Sequence, residues 1–310
     1  MKVLVNTKNL SREEWLELRR KGIGGSDVAV ALGLSPWKSP LALWLEKTGQ
    51  LTPAELGEAA YWGTVLEEPI TQEFSKRTGL KVRKKNAIIQ HSEHPFMLAN
   101  LDREIIDKEK GNGLLEVKTT GAHRGDDWSD EKVPDAYMLQ IQHYLAVTGY
   151  QYAYAAVLIG GQRYLHTYIP RDEEVISQII RLEKDFWRLV ETGQQPDLDG
   201  SESCTEALSI LYPRAKEEST LDLPEEAGMI INMFDYHRQK QKQHEEMKDS
   251  YVNQLKALLG ENEIGVHGEH KVSWKNVTSK RLDTKRLQEE QLAVYAAYLK
   301  ESTSRRFDVR

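Results

Sequence analysis

The first part of the chain, up to about residue 78, carries apolar positions at helical spacing, interrupted by glycines. Ser11, followed three residues later by Glu14, predicts a capping box at the start of one helix. The strongest pattern runs from Glu58 to Thr78, where apolar side chains recur every four residues and Gly79 follows as a natural stop. The side chains of this series are Trp62, Leu66, Ile70 and Phe74. We therefore expect a helical N-terminal part.

Beyond Leu80 the pattern changes to the alternation that is typical of strands, with helices between them. The predicted strands are 81–90, 96–107, 113–119, 152–159 and 163–169. The predicted helices are 135–148 and 172–191. Strands that alternate with helices in this way predict an α/β (α+β) fold, with a mixed central sheet flanked by helices.

A polar link at 194–203 precedes a third stretch of different character. Its predicted elements are a long charged helix at 224–259, a short strand at 270–277 and a further helix at 283–298. We expect a domain boundary at about residue 200, with residues 1–200 forming the first domain. Residues 201–310 would form a mainly helical C-terminal extension, either a packed appendage or a surface that contacts a partner.

Composition restricts the protein class more than the fold. Of the 310 residues, 39% are hydrophobic, enough for a real core, and no apolar run approaches the ~18 residues of a membrane span. Cys204 is the single cysteine, which excludes an internal disulfide and a cysteine-rich zinc site and favours a reducing cytoplasm. The net charge of −6 is weak evidence against a nucleic-acid partner, because basic groups can be confined to one groove.

Three tryptophans fall within the predicted helices or beside them. We interpret Trp37, Trp44 and Trp62 as core residues, although one of them could stack on a base or wedge the end of a duplex. The histidines are scattered and show no zinc-binding spacing.

Candidate chemistry centres on the predicted strands 96–107 and 113–119, which a polar turn joins. Glu116 and Lys118 lie two residues apart, so their side chains share one face of a strand while Leu115 and Val117 point into the core. Asp102, on the preceding strand, can lie beside Glu116. Two close carboxylates repel, and a hard divalent cation with oxygen ligands relieves that repulsion. We expect Mg²⁺, with Mn²⁺ as a substitute, bound by both carboxylates and by the carbonyl of Val117.

Lys118 has several possible roles beside such an ion. It could position or deprotonate the attacking water, or stabilise the charge that grows on a phosphate. Taken alone, a carboxylate and a lysine two residues apart on a strand are more often a solvated charged face than a site.

Further motifs along the chain favour the catalytic interpretation over a solvated charged face. The spacing of Asp102, Glu116 and Lys118 resembles the PD-(D/E)xK nuclease signature. Further motifs occur in order along residues 11–196: Trp15-x-x-Leu18-Arg19, Gly22-Ile23-Gly24-Gly25-Ser26-Asp27, Gly63-x-x-x-Glu67 and Gln140-Ile141-Gln142-His143-Tyr144. Together they resemble the YqaJ-like viral recombinase family, which includes lambda exonuclease. The family often has proline before the aspartate, where this chain has Leu101; proline is not a ligand, so the departure costs little.

The resemblance implies roles for single residues in the reaction. Glu67, Asp102 and Glu116 would ligate the metal, and Lys118 would be the catalytic lysine. Gln140 would hydrogen-bond near the attacking water or the scissile strand, with Gln142 as a near-equal competitor. Tyr144 is more typical of core packing.

The resemblance also assigns Arg19 and Ser26 to the terminal 5′-phosphate of DNA. The two residues lie seven apart across a glycine-rich turn at a helix start. An arginine fork, a hydroxyl and the amides of a helix N-terminus together form an anion site, so the physics agrees with this role.

For the whole protein, the resemblance implies a restriction-endonuclease-like nuclease domain at 1–200. The implied activity is a Mg²⁺-dependent 5′-to-3′ exonuclease acting on double-stranded DNA ends, which leaves 3′ single strands for a phage annealing protein. A homotrimer in the cytoplasm of a bacterial host, encoded by a phage or prophage, is the corresponding expectation. Two alternatives stay open: a structure-specific endonuclease with the same site, and a DNA-binding recombination module without catalysis.

Overall fold

A computed structural model describes residues 1–53, 57–128, 132–301 and 304–309. The chain divides into two units, Met1–Leu211 and Tyr212–Arg310. Residues 201–211 therefore lie with the first unit, whereas the predicted extension begins at 201. Within the described ranges, no helix combines the length and the apolar character that a membrane span requires.

The helices of the first unit follow the predicted pattern, with one further helix after the polar link. In chain order they are α1 (Arg12–Arg20), α2 (Gly25–Ala31), α3 (Pro40–Lys47), α4 (Glu58–Thr78), α5 (Asp135–Thr148), α6 (Glu173–Thr192) and α7 (Glu202–Leu211). The capping box is present: Ser11 Oγ accepts from the amide of Glu14, and the Glu14 carboxylate accepts from the amide of Ser11. Gly79 ends α4 in the left-handed conformation, with φ of 73°.

The strands of the first unit form two sheets. In chain order they are β1 (Lys2–Asn6), β2 (Ile23–Gly24), β3 (Lys81–Arg83), β4 (Ala87–Gln90), β5 (Met97–Ala99), β6 (Arg103–Ile106), β7 (Gly113–Thr120), β8 (Tyr152–Ile159) and β9 (Arg163–Pro170). The smaller sheet has the order β1-β4-β5-β2, and the larger has the order β3-β6-β7-β8-β9. The larger sheet is mixed, because β7 is parallel to β8 while its other pairs are antiparallel.

Two predicted strands were wrong, since each is divided between the two sheets. The chain passes from β3 in one sheet to β4 in the other across 84–86, and from β5 back to β6 across 100–102. Both halves of each stretch are extended, so alternation along the sequence could not reveal the crossing. The second crossing contains Asp102, which thereby stands at the beginning of β6.

Helices cover both faces of the larger sheet, which confirms the predicted α/β class. On one face of β7, Leu114 packs in a cluster with residues of α5, such as Ile141. On the other face, Leu115 and Val117 pack with Phe74 of α4, as predicted. Glu116 and Lys118 therefore lie on the α5 face.

The tryptophan prediction is confirmed for one residue and wrong for two. Trp44 is buried, and its indole nitrogen donates to the carbonyl of Leu189 at 3.1 Å. Trp62 is 52% exposed because it lies in the first turns of α4, which extend beyond the sheet. The helix packs on the sheet from about Leu66 onward. Trp37 is 57% exposed in a loop, and the Arg124 guanidinium lies 5.4 Å from the centre of its ring.

The second unit contains one long helix and several short elements. They are α8 (Glu226–Leu259), β10 (Ile264–His267), β11 (His270–Ser273), α9 (Thr284–Glu290) and α10 (Leu292–Ala297). The hairpin β10–β11 is antiparallel. The single helix predicted at 283–298 is divided, because Gln291 leaves the helical region with φ of −139° and ψ of 53°.

A buried ion pair joins α5, α6 and β5 behind the sheet. Atom Nδ1 of His143 lies 2.7 Å from a carboxylate oxygen of Glu183, and both side chains are fully buried. The Nε2 atom of His143 lies 2.9 Å from the carbonyl oxygen of Leu98. Because a carbonyl can only accept, Nε2 carries the proton that is donated to it.

Removal of one partner of this pair should destabilise the protein strongly. Glu183→Ala leaves the His143 ring buried beside an unfilled space, which is expected to cost about 3 kcal/mol of unfolding free energy. Urea unfolding measures the change, with Lys184→Ala at the exposed neighbouring position as the matched control. Equal stability of the two variants would contradict a structural role for the pair.

Candidate active site

A cavity of about 350 Å³ lies where α1, the start of α2, the first turns of α4, the strands β5 and β7 and the helix α5 meet, beside Asp102, which directly precedes β6. Eight of the site residues that the sequence suggested line it. They are Arg19, Ser26, Glu67, Asp102, Glu116, Val117, Lys118 and Gln140. Residues up to 121 positions apart in the chain thus share one concave surface.

The two strand carboxylates face each other at the floor of this cavity. The antiparallel register pairs Arg103 with Leu115, and one further step of that register sets Asp102 opposite Glu116. Asp102 also accepts a hydrogen bond of 2.8 Å from the amide of Val117. Burial, followed by the negative charge of Glu116, raises the pKa of Asp102 to about 8. Such paired oxygens under mutual repulsion suit a divalent cation, so these residues fit the expected metal.

Glu116 is held from two sides. It is 2% exposed, and one of its carboxylate oxygens accepts from Lys118 Nζ at 2.7 Å and from Gln140 Nε2 at 2.6 Å. The oxygen of the Gln140 amide in turn accepts from Lys118 at 3.1 Å. The three side chains form a closed triangle of hydrogen bonds.

Electrostatics keep Lys118 charged in this triangle. Burial would lower the pKa of Lys118, but the carboxylates of Glu116 and Asp102 outweigh it and raise that pKa above its ordinary value. The ammonium also lies 4.8 Å from the ring centre of Tyr137, a cation–π contact. An ammonium can orient a water or stabilise an anion, whereas it cannot accept a proton.

The two competing glutamines of α5 have different surroundings. Gln140 points into the cavity. Gln142 instead bridges the connection from β9 to α6: it donates to the carbonyl of Pro170 at 2.9 Å and accepts from the amide of Asp172 at 3.0 Å. Of these two glutamines, Gln140 lines the cavity and Gln142 does not.

Glu67 reaches the cavity from α4, but its carboxylate is bound to Arg103. Arg103 is buried, and its other contacts are the carbonyl of Asp102 at 2.7 Å and the carboxylate of Glu68 at 2.8 Å. Consistent with this pairing, no group of three His, Cys, Asp or Glu side chains among the described residues is arranged to hold a metal ion. One carboxylate oxygen of Glu67 is thus engaged by the guanidinium of Arg103.

Arg19 and Ser26 contact each other on the opposite wall. Atom Nη2 of Arg19 donates to Ser26 Oγ at 3.0 Å and to Asp27 at 2.7 Å. The second oxygen of Asp27 accepts from Lys47 Nζ at 2.7 Å and from the amide of Gly24 at 3.1 Å. Burial would raise the pKa of Asp27, yet Arg19 and Lys47 lower it far below its ordinary value. Asp27 is therefore an anion that fixes the position of the arginine.

Sequence reasoning gave no role to Asp27 or Lys47. The sequence nevertheless contained a feature that could have singled out each of them. Asp27 belongs to the glycine-rich motif, and Lys47 is a charged residue in a mostly apolar helix, where it is 9% exposed. A buried lysine requires a carboxylate partner.

Tyr144 is both a core residue and part of the cavity wall. It is buried, as interpreted, and its hydroxyl accepts from Gln140 at 3.2 Å. Gly25 packs against it so closely that a Cβ there would lie 2.4 Å from the tyrosine ring. The glycine pair of the motif thus lets the start of α2 approach α5 and brings Ser26 to the cavity.

Comparisons with known proteins find similar sequences and structures. The sequence model of the YqaJ-like viral recombinase domain matches residues 14–151. The uncharacterized protein YqaJ of Bacillus subtilis (strain 168) is 41% identical over 312 residues, covering 99% of this chain and 97% of that protein. An alkaline exonuclease from Laribacter hongkongensis has a TM-score of 0.48 at 21% identity, covering 59% of this chain and 94% of that structure. A phage related exonuclease from Haemophilus somnus 129PT has a TM-score of 0.45 at 16% identity, covering 58% of this chain and 99% of that structure.

The matched domain contains every residue that the sequence suggested for the cavity, from Arg19 to Gln140. The Bacillus subtilis relative extends the similarity along almost the whole chain. This protein belongs to the YqaJ-like viral recombinase family.

Proposed function

We propose that this protein is a Mg²⁺-dependent exonuclease that degrades double-stranded DNA from its 5′ ends. The observation that supports it most is the shared cavity, in which Asp102, Glu116 and Lys118 face the Arg19–Ser26 pair. A hydrolytic centre beside an anion site would act where DNA carries a terminal phosphate. Membership of a viral recombinase family agrees with this role.

The residues of the larger sheet would carry the hydrolysis. When bound at Asp102 and Glu116, Mg²⁺ or Mn²⁺ would supply charge neutralisation and water activation, with the carbonyl of Val117 and a rotated Glu67 as further ligands. Lys118, already an ammonium, would stabilise the negative charge that develops on the scissile phosphate. Gln140 would hold Lys118 and Glu116 at their present separation while DNA enters.

Arg19 and Ser26 would bind the 5′-phosphate. Asp27 and Lys47 hold the guanidinium in place before DNA arrives, so little side-chain entropy is lost on binding. The amides at the start of α2 add partial positive charge beside the hydroxyl of Ser26.

The products and partners follow from the same proposal. Resection of 5′ ends leaves 3′ single strands, which a phage single-strand annealing protein would use in recombination within a bacterial host. A homotrimer around DNA would keep the enzyme on its substrate. Family resemblance supports both the annealing partner and the homotrimer.

The catalytic assignment is tested on end-labelled linear duplex DNA with Mg²⁺, beside a covalently closed plasmid. The wild-type protein should digest the linear DNA and leave the closed circle intact. Glu116→Gln and Lys118→Met should each lower the rate at least about a hundredfold, because they remove charge that acts in the transition state.

Glu109→Gln is the matched control, since it changes an exposed glutamate in the turn of the same hairpin. Cleavage of the closed circle would indicate an endonuclease. No product with either Mg²⁺ or Mn²⁺ would defeat the nuclease proposal.

End recognition is tested by comparing duplexes that carry a 5′-phosphate or a 5′-hydroxyl. The wild-type protein should start about tenfold faster on phosphorylated ends, as charge-assisted hydrogen bonds to phosphate predict. Arg19→Gln and Ser26→Ala should abolish that difference, whereas Arg20→Gln, beside them in α1, should retain it. Equal initial rates of the wild-type protein on both substrates would remove the assignment.

Metal binding is tested without activity, by the midpoint of thermal unfolding. Mg²⁺ should raise the midpoint of the wild-type protein by mass action and leave that of Asp102→Asn nearly unchanged. In metal-free buffer the raised pKa of Asp102 makes its ionisation unfavourable to folding, so the penalty grows as the pH rises from about 4 to about 8. Asp102→Asn should therefore lose less stability than the wild-type protein over that range, and an identical pH dependence would contradict the repulsion.

A further inference from the structure

The most basic stretch of the chain runs from the end of α4 through β3, at the edge of the larger sheet. Six of the ten residues 76–85 are lysine or arginine and none is acidic, although the whole chain carries a net charge of −6. Lys76 and Arg77 lie 3.9 and 2.7 Å from the carboxylate of Glu73. The other four basic residues belong to β3 and to the crossing that follows it. Such a local excess of positive charge attracts an anionic partner.

The register of the sheet brings the end of this stretch close to the carboxylate pair. Strand β3 is antiparallel to β6, with Arg83 opposite Glu104, so the chain that leaves β3 approaches the beginning of β6, where Asp102 stands. Strand β6 in turn pairs with β7, which carries Glu116. Neighbouring strands are ~4.8 Å apart, which sets the end of β3 about 10 Å from β7. A DNA strand with a phosphate at the carboxylates can therefore also reach these cations.

Glu104 fixes two of the cations at the sheet edge. Its carboxylate is 1% exposed and accepts from Arg83 Nε at 2.6 Å and from Lys85 Nζ at 3.1 Å. The hydroxyl of Tyr150 donates to the same carboxylate. Burial would raise the pKa of Glu104, yet these three hydrogen bonds lower it below its ordinary value, so Glu104 is an anion. The side chain of Arg83 nevertheless stays 59% exposed, which leaves the rest of its fork available to a second anion.

Lys84 adds a positive charge on the other face of the same edge. Side chains alternate along an extended chain, so Lys84 points to the α4 face and Arg83 to the α5 face. A hydrogen bond from Arg103 lowers the pKa of Glu68 most, and the charge of Lys84 contributes to the same shift, so its ammonium lies near that carboxylate of α4. Glu68 directly follows Glu67, which lines the cavity. Lys84 itself is exposed.

We infer that Arg83 and Lys84 bind the phosphate backbone of the undigested duplex, just outside the cavity. The inference rests on the proposed function, since it concerns the DNA that the same cavity would degrade. Duplex DNA carries one negative charge for each ~1.7 Å of its axis, so phosphates are available to cations on both faces of the sheet edge. Contacts to phosphates alone read no bases, which suits an enzyme that degrades DNA of any sequence.

Binding of a 5′-phosphorylated linear duplex to the full chain tests the contact, with EDTA present so that no strand is cut. The affinity is measured at several salt concentrations, because each lost phosphate contact reduces the steepness of log affinity against log salt by about 0.9. Arg83→Gln and Lys84→Gln should each show that reduction and weaken binding about fivefold at ~0.1 M salt. Lys84→Arg, which keeps the charge, should retain the steepness of the wild-type protein.

Lys108→Gln is the matched control, because it removes a lysine charge from the exposed turn at the opposite end of β6. An unchanged steepness in both Arg83→Gln and Lys84→Gln, or an equal reduction in Lys108→Gln, would overturn the inference. Failure of the proposed activity has a different signature. If DNA binding depends on Arg83 and Lys84 but no product forms with Mg²⁺ or Mn²⁺, the backbone contact is upheld and only the nuclease proposal is defeated.

Discussion

The fold holds two carboxylates against each other, and much of the site is arranged around that repulsion. Asp102 and Glu116 cannot separate, because the register of β6 and β7 sets them opposite each other. The amide of Val117, the ammonium of Lys118 and the amide of Gln140 compensate part of the negative charge. Burial, together with the negative charge of Glu116 that remains uncompensated, raises the pKa of Asp102. Packing on both faces of the sheet supplies the free energy that keeps this arrangement.

A second ion-pair system, centred on Asp27, organises the opposite wall. Asp27 binds Arg19 and Lys47 and thereby ties α1, α2 and α3 together beside the cavity. Arg103 plays a comparable part for Glu67, whose carboxylate it binds. One wall of the cavity thus carries the Arg19–Ser26 pair, and the other carries Asp102, Glu116 and the Arg103-bound Glu67.

These two walls give the proposed activity a physical basis. In the proposed activity, the anion site would favour phosphorylated ends, and hydrolysis would take place at the carboxylate pair in the same cavity. The described residues that line this cavity belong to the first unit.

Sequence alone determined the features that depend on a few neighbouring residues. The capping box at Ser11, the extent of α4 and the common face of Glu116 and Lys118 follow from local periodicity, which backbone geometry imposes within one or two turns. The order of motifs also located the cavity residues. Tertiary structure decided the two passages between sheets, the pairing of Glu67 with Arg103, the choice between Gln140 and Gln142, and the buried contact of Asp27 with Lys47. These features depend on which distant segments pack together, and neither spacing nor composition records that choice.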